Sequence, residues 1–343
     1  MNADEVEISL ERIPVVKCNQ CGGLMDLADC EPFSLVSCPS CGAEKTVPAK
    51  LGNYVLLDII GKGGMGAVYR GVDPMLNRAV AVKVLLKGML DSPGFMERFQ
   101  HEAQAAARIN HPHVAHVYAF GLEQGQPYLV MEHVEGTSLK DLISDGKSVD
   151  QYLVMKTGLE VAEGLSAAAQ IGLVHGDVKP ENILFNSDFE AKLIDFGLAS
   201  YTQNVEQVKA VWGSPYYVSP ERLQKLNVDF RADMYSLGAT LYHALSGRPP
   251  FDGETVRDVA LARLSRNPKH LKAWRRQVSE GVANLVMRML ERDRAMRHPS
   301  YTSLIGDLGR AMEELASSNR RSAKMGQRVT ERSLRDLGVV HAA

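Results

Sequence analysis

The sequence predicts an α+β protein with a small cysteine-held module ahead of its main domain, and three observations carry that prediction. All five cysteines fall between Cys18 and Cys41, and everything after them is cysteine-free. Beyond Tyr54, short β-prone runs alternate around glycines, as strands joined by tight turns do. Further on, apolar residues at 234, 237, 241 and 245 recur at helical spacing, the pattern of a buried helix.

Composition narrows the classes. A chain of 343 residues is long enough for two or more domains and a sizeable core. With 45% hydrophobic residues, 23% charged residues and a formal net charge of −2, nothing makes nucleic acid or an anionic membrane the main partner. No apolar run approaches the roughly 18 residues that cross a bilayer. The opening "MNADEVEISLER" lacks the basic-then-apolar order of a secretion leader, so a cytoplasmic location is the expectation.

The first element is the cysteine module, residues 1–50 with the linker "TVPAKLG". "CNQCGG" supplies Cys18 and Cys21, and "CPSCGA" supplies Cys38 and Cys41. Two thiolates at C-x-x-C spacing lie on one tight turn, and Gly22 and Gly42 leave backbone N–H groups facing sulfur. Two such turns offer four soft ligands in a tetrahedron. The spacing resembles a zinc ribbon with structural Zn2+, and the same thiolates would also take iron. Disulfides would spread through a secreted fold, so local clustering favours metal. Cys30, between the pairs, reads as an ordinary thiol. Four protein ligands leave no open position for catalysis, and in so short a segment the metal supplies folding energy. The module reads as a docking site for a protein partner.

Next comes a glycine-rich turn. "YVLLDIIGKGGMGAVYRGVD" carries Gly61, Gly63, Gly66 and Val68 at G-x-G-x-x-G-x-V spacing. A dinucleotide site would need a helix straight after the glycines, whereas "AVYRGVD" is β-branched and aromatic, so a hairpin lid over phosphates fits better. "RAVAVKVLL" is a further strand with Lys83 among valines. On an alternating strand such a lysine can simply face out, but inside an apolar strand it needs an anionic partner. Glu102, beside the apolar stripe of "GFMERFQHEAQAAARIN", is the candidate: a Glu102–Lys83 bridge would hold the ammonium against phosphates. His111, His113 and His116 read as capping and packing residues.

"LVHGDVKPENILF" and "LIDFGLA" complete the series. From about Tyr54 to about Leu315 the chain resembles a protein kinase of the bacterial serine/threonine type, because unrelated motifs fall in order at plausible distances. The resemblance implies a bilobal fold, with a five-stranded N-lobe at about 54–133 and a helical C-lobe at about 134–315. It implies ATP as substrate, with Mg2+ or Mn2+, and Ser/Thr hydroxyls of proteins as acceptors, those of the chain itself among them.

It also assigns residues. Asp177 matches the aspartate that orients the acceptor hydroxyl, Lys179 the lysine that steadies the γ-phosphate, and Asn182 and Asp195 the metal ligands. Ile60, Gly61, Lys62, Gly63, Gly64, Met65, Gly66 and Val68 match the lid over the nucleotide. In "PYLVMEHVEG", Met131 would be the gatekeeper, with backbone groups of Glu132 and Val134 meeting the base edge. Ile60, Val68, Ala81 and Leu184 would sandwich its ring. "GSPYYVSPE" matches the end of an activation segment, Asp233 the residue bracing the catalytic loop, and Arg297 the partner of Glu221.

One residue departs from the pattern. Many kinases carry arginine before the catalytic aspartate, where it meets a phosphate on the activation segment; here the residue is Gly176. With Lys83, Asp177, Asn182 and Asp195 retained, Gly176 speaks to control and not to chemistry. Activity is expected to depend little on a phosphate docked there, although Ser200, Thr202 and Ser214 are available acceptors. Two competing classes stand beside the enzyme: a nucleotide-binding pseudokinase scaffold that recruits partners through the ribbon, and a ribbon that binds nucleic acid. The polar, basic tail, residues 316–343, reads as a solvated tail or short surface helix. Arg320–Ser322 and "RVTERS" put acceptors for self-phosphorylation beside arginines. In the absence of a recognisable anchored sensor, input is expected through ribbon, tail or a partner.

Overall fold

The computed structural model describes residues 10–63, 66–91, 93–196 and 216–336. It begins with short strands β1 (Glu11–Arg12), β2 (Val15–Lys17), β3 (Leu24–Asp26), β4 (Leu35–Ser37), β5 (Glu44–Thr46) and β6 (Ala49–Leu51). β2 pairs with β3 and β4 with β5, forming two small hairpins, each with its cysteine pair in the turn between its strands.

The long strands follow: β7 (Tyr54–Gly63), β8 (Gly66–Asp73) and β9 (Arg78–Leu85), then helix α1 (Phe95–Ala106), then β10 (Val117–Glu123) and β11 (Gln126–Glu132). They form one antiparallel sheet of order β1-β6-β7-β8-β9-β11-β10. The sheet is therefore seven-stranded where five strands were expected. β6 and β1, which belong to the stretch assigned to the cysteine module, pair onto β7 and extend the lobe.

Strand alternation sends Ala81, Leu85, Leu129 and Met131 to one face, where they pack with Phe95, Phe99 and Ala103 of α1. Val80, Val82, Val84, Ala67, Tyr69 and Val130 form a second buried cluster against which Leu10 and Phe33 pack. β9 is apolar on both faces because each face is covered, one by α1 and the other by the N-terminal module.

The second lobe is helical: α2 (Leu139–Leu142), α3 (Gln151–Gln170), a small hairpin of β12 (Ile183–Phe185) and β13 (Ala191–Leu193), then α4 (Pro220–Leu223), α5 (Phe230–Ser246), α6 (Val256–Ser265), α7 (Glu280–Met289) and α8 (Tyr301–Asp336). Asp150 caps α3 through the N–H groups of Tyr152 and Leu153, and Asp229 caps α5 through that of Arg231. Met234, Leu237, Leu241 and Leu245 of α5 are buried at the centre of this lobe's core. α8 docks by Leu304, Leu308, Ala311 and Leu315, a stripe at helical spacing. Its backbone then continues to Asp336, so the segment read as a tail starts inside a helix. Among the described residues no helix is long and apolar enough to cross a membrane.

Candidate functional site

The cleft between the lobes collects charged groups on opposing elements. On β9, Val68 of β8 and Leu129 of β11 flank Lys83 in register, and Ala81 pairs with Met131. Ala81 and Lys83 share a face by the two-residue period, so apolar residues lead up to an ammonium. Across the cleft, Asp195 follows β13 with φ of +65°, a left-handed conformation that costs an aspartate free energy. Lys83 Nζ donates to Asp195 Oδ2 at 2.9 Å.

The same two groups form an ion pair, the ammonium of Lys83 facing the Asp195 carboxylate, while Glu102 is carried on α1. Both partners of the observed pair are largely withdrawn from water, and a desolvated ammonium takes the carboxylate facing it across the cleft. Burial alone would raise the Asp195 carboxyl; the adjacent Lys83 outweighs it and holds the group below its ordinary value.

Below this pair lies the loop preceding β12. Lys179 Nζ donates to Asp177 Oδ2 at 2.6 Å, and Asn182 Nδ2 donates to Asp177 Oδ2 at 3.1 Å and to its carbonyl oxygen at 2.8 Å. Ile194 N–H donates to the Asn182 carbonyl at 3.0 Å, tying the loop to the residue before Asp195. Asp195 Oδ1 is buried and has no hydrogen-bond partner. A desolvated, unsatisfied carboxylate oxygen is costly, and with the Asn182 side chain nearby in the loop it suits a hard divalent cation such as magnesium.

Two residues that the sequence reading overlooked hold this loop. His175 N–H and Gly176 N–H donate to Asp233 Oδ2 and Oδ1 at 2.6 and 2.7 Å. The His175 ring accepts from Asp177 N–H through Nδ1 (3.1 Å), so its Nε2 donates to the Ile194 carbonyl (2.9 Å). The Phe196 ring meets it edge-on at 4.5 Å. The other overlooked residue is Arg222 on α4, which donates to the Gly176 carbonyl. Gly176 has φ of +80°, and a Cβ there would collide with the Arg222 guanidinium. A histidine before Gly-Asp was visible in the sequence; nothing local in it points from Arg222 to Gly176.

The remaining site residues are placed as follows. Gly61, Lys62 and Gly63 lie on β7, Gly63 pairing with Gly66 across the hairpin, while Gly64 and Met65 lie outside the described residues. Gly66 has φ of +145°, and any Cβ would run into the Val84 carbonyl, so only glycine lets this hairpin lie so close on β9. Ile60 is half-exposed, and Leu184 is on β12 beneath the cleft. Glu132 N–H is committed to the His116 carbonyl (2.8 Å) and its carboxylate to Lys192 (2.7 Å), so of its backbone only the carbonyl could meet a base. Gly197, Ser200, Thr202 and Ser214 lie outside the described residues.

The cysteine module passes a separate geometric test. The four Sγ atoms of Cys18, Cys21, Cys38 and Cys41 lie within 4.8 Å of one another. Cys18–Cys41 and Cys21–Cys38 are each 3.7 Å apart, and a tetrahedron with Zn–S of about 2.3 Å has an edge of about 3.8 Å. The two turns match: Gly22 N–H and Gly42 N–H donate to the Cys18 and Cys38 carbonyls at 2.9 and 2.8 Å. Backbone N–H groups of Cys21 and Gln20 pull the Cys18 thiol down to about 6, and that of Ser40 lowers Cys38. At Cys41 the Ala43 N–H pulls the same way, but neighbouring Cys21 and burial push the thiol up to about 12: four crowded sulfurs do not all ionise easily without a cation among them. The residues fit a tetrahedral thiolate-bound ion such as Zn2+.

Comparison with known proteins supplies the family. Residues 54–306 match the protein kinase domain. The chain is 33% identical over 264 residues to the serine/threonine-protein kinase PrkC of Bacillus subtilis, and 35% identical over 274 residues to PknB of Mycobacterium tuberculosis. These matches cover 76% and 77% of this chain but only 41% and 44% of those proteins. The kinase domain of Mycobacterium tuberculosis PknI superposes with a TM-score of 0.63 at 29% identity, covering 76% of this chain and 97% of that one.

Proposed function

Since the chain belongs to the protein kinase family, matched over residues 54–306, we propose that it transfers the γ-phosphate of ATP to serine or threonine hydroxyls of proteins, its own among them. The observation that carries this reading is the gathering of two groups at one cleft, Lys83 with Asp195 at 2.9 Å and Asp177 with Lys179 and Asn182 at 2.6 and 3.1 Å, tied together by the Ile194 N–H on the Asn182 carbonyl at 3.0 Å.

In this reading Lys83 and the β7–β8 glycines hold the phosphates, while Ala81, Val68, Met131 and Leu184 enclose the base between the lobes. Asp177 accepts a hydrogen bond from the acceptor hydroxyl and aims it, and Lys179 beside it offsets charge on the phosphoryl oxygens. Asn182 and Asp195 would hold Mg2+ or Mn2+, which when bound neutralises charge developing on the phosphates. Catalysis then rests on positioning and charge compensation.

The remaining assignments belong to the same proposal: a ribbon and linker to residue 50, a kinase domain over 51–315, a basic tail from 316, a structural zinc, a protein partner at the ribbon, and the cytoplasm as its place of action. The scaffold alternative is weaker because every residue that phosphotransfer needs is retained. The test is transfer of labelled phosphate from ATP to the chain and to generic substrates, with Asp177→Asn and Lys83→Met as controls. A loss of about 10²–10⁴-fold in the Asp177 variant is expected; equal labelling in all three would reject the proposal.

A further inference from the structure

The catalytic loop contains one glycine whose missing side chain is replaced in space by a residue far along the chain. Arg222 Nη1 donates to the Gly176 carbonyl oxygen. That carbonyl and the Asp177 N–H are the two ends of one peptide group, and the N–H donates to His175 Nδ1 at 3.1 Å. The peptide plane between Gly176 and Asp177 is therefore fixed at both ends. Because a peptide is planar, fixing both ends sets the direction in which Asp177 leaves the backbone.

Three features make the contact specific. Gly176 alone permits it, since a Cβ would occupy the guanidinium's place. Arg222 is itself anchored, because its neighbour Glu221 is gripped by Arg297 through two bonds of 2.7 and 2.9 Å. The guanidinium lies in the field of two carboxylates, Asp233 and Asp177, which oppose the downward pull of burial on its proton affinity. Asp233 in turn takes the N–H groups of His175 and Gly176, so the loop is held from one side by an anion and from the other by a cation.

We infer that Arg222 is a positioning residue for the phosphotransfer proposed above: from α4 it holds the 176–177 peptide plane, aims Asp177, and couples it to the end of the activation segment. The inference rests on the kinase reading for its consequence and on hydrogen-bond geometry for its existence. The cation that the resemblance expects at position 176 is thus delivered from another element, where it meets a backbone oxygen.

The test uses the full chain, with Arg222→Met, Arg222→Lys and Gly176→Ala, and reads amide hydrogen exchange alongside kcat and KM for ATP. In Arg222→Met, exchange of the Gly176 and Asp177 amides should accelerate about tenfold while the rest of the helical lobe keeps its protection. kcat should fall about 100-fold with KM for ATP changed less than about twofold, since misaiming costs turnover and not nucleotide binding. Arg222→Lys, which keeps a charged donor, should recover most of the rate, and Gly176→Ala, which evicts the guanidinium, should reproduce the loss. Unchanged loop exchange in Arg222→Met, or a wild-type kcat in it, would overturn the inference. So would faster exchange throughout the lobe with no rescue by lysine. A wild-type chain that transferred no phosphate would defeat the kinase reading, and the exchange comparison would still decide whether Arg222 holds the loop.

Discussion

The ring of Phe33 lies 5.0 Å from that of Tyr69, inclined at 31°, so a residue between the two cysteine turns packs on a buried tyrosine of the kinase sheet. The N-terminal module caps the outer face of the N-lobe and adds two strands to its edge. Phe33→Ala should therefore destabilise the kinase domain itself by about 1–3 kcal/mol through lost apolar burial and ring contact. Thermal unfolding followed by nucleotide-site fluorescence checks this, and a melting curve identical to wild type would show the module to be an independent appendage.

Metal removal should act through the same contact. One zinc per chain is expected by elemental analysis of metal-loaded protein, and Cys18→Ser or Cys38→Ser should abolish it. Loss of the ion should expose residues 14–47 to protease and lower the melting temperature of the N-lobe, because a module this small depends on its metal to fold. Visible absorption of the purified chain separates iron from zinc.

The buried pair of Arg297 and Glu221 should dominate the stability of the helical lobe. Arg297 is almost fully buried and also donates to the carbonyls of Glu291 and Arg231 at 2.8 Å each. Arg297→Met leaves Glu221 charged and unpaired, which should cost about 3–5 kcal/mol. The denaturant midpoint measures it; a shift worth under about 1 kcal/mol would contradict the assignment.

Stability should also depend on pH through His243. Burial, aided by Lys140, pulls its imidazole down from the ordinary 6.5 to about 4, and its Nδ1 shares a hydrogen bond with the Tyr217 hydroxyl at 2.7 Å. The unfolded chain binds the proton first as pH falls, so stability should drop between about 6.5 and about 4 and level off below. The full effect is about 3 kcal/mol. Other buried histidines shift the same way, so the readout is the difference between wild type and His243→Gln. Parallel slopes in the two proteins would exclude His243.

What could be read in advance followed local rules. Lys83, Asp177, Asn182 and Asp195 stand in contiguous motifs whose residue types are demanded by the charges they would meet. The buried α5 announced itself by Met234, Leu237, Leu241 and Leu245, because a helix facing a core repeats its apolar residues every turn. The pairing of Lys83 with Asp195 had no local signal, because it joins residues 112 positions apart that only the folded lobes bring together.

By itself, then, the sequence determined the elements, the family and the identity of the charged groups, since turn glycines, apolar periods and thiolate spacing act over a few residues. Only the tertiary structure decided that the cysteine module is built into the N-lobe sheet, that Asp195 answers Lys83, and that Arg222 fills the space beside Gly176. Those outcomes depend on burial across long sequence separations, where a charge or a ring must find its partner among whatever the fold brings within reach, and no local pattern records that choice.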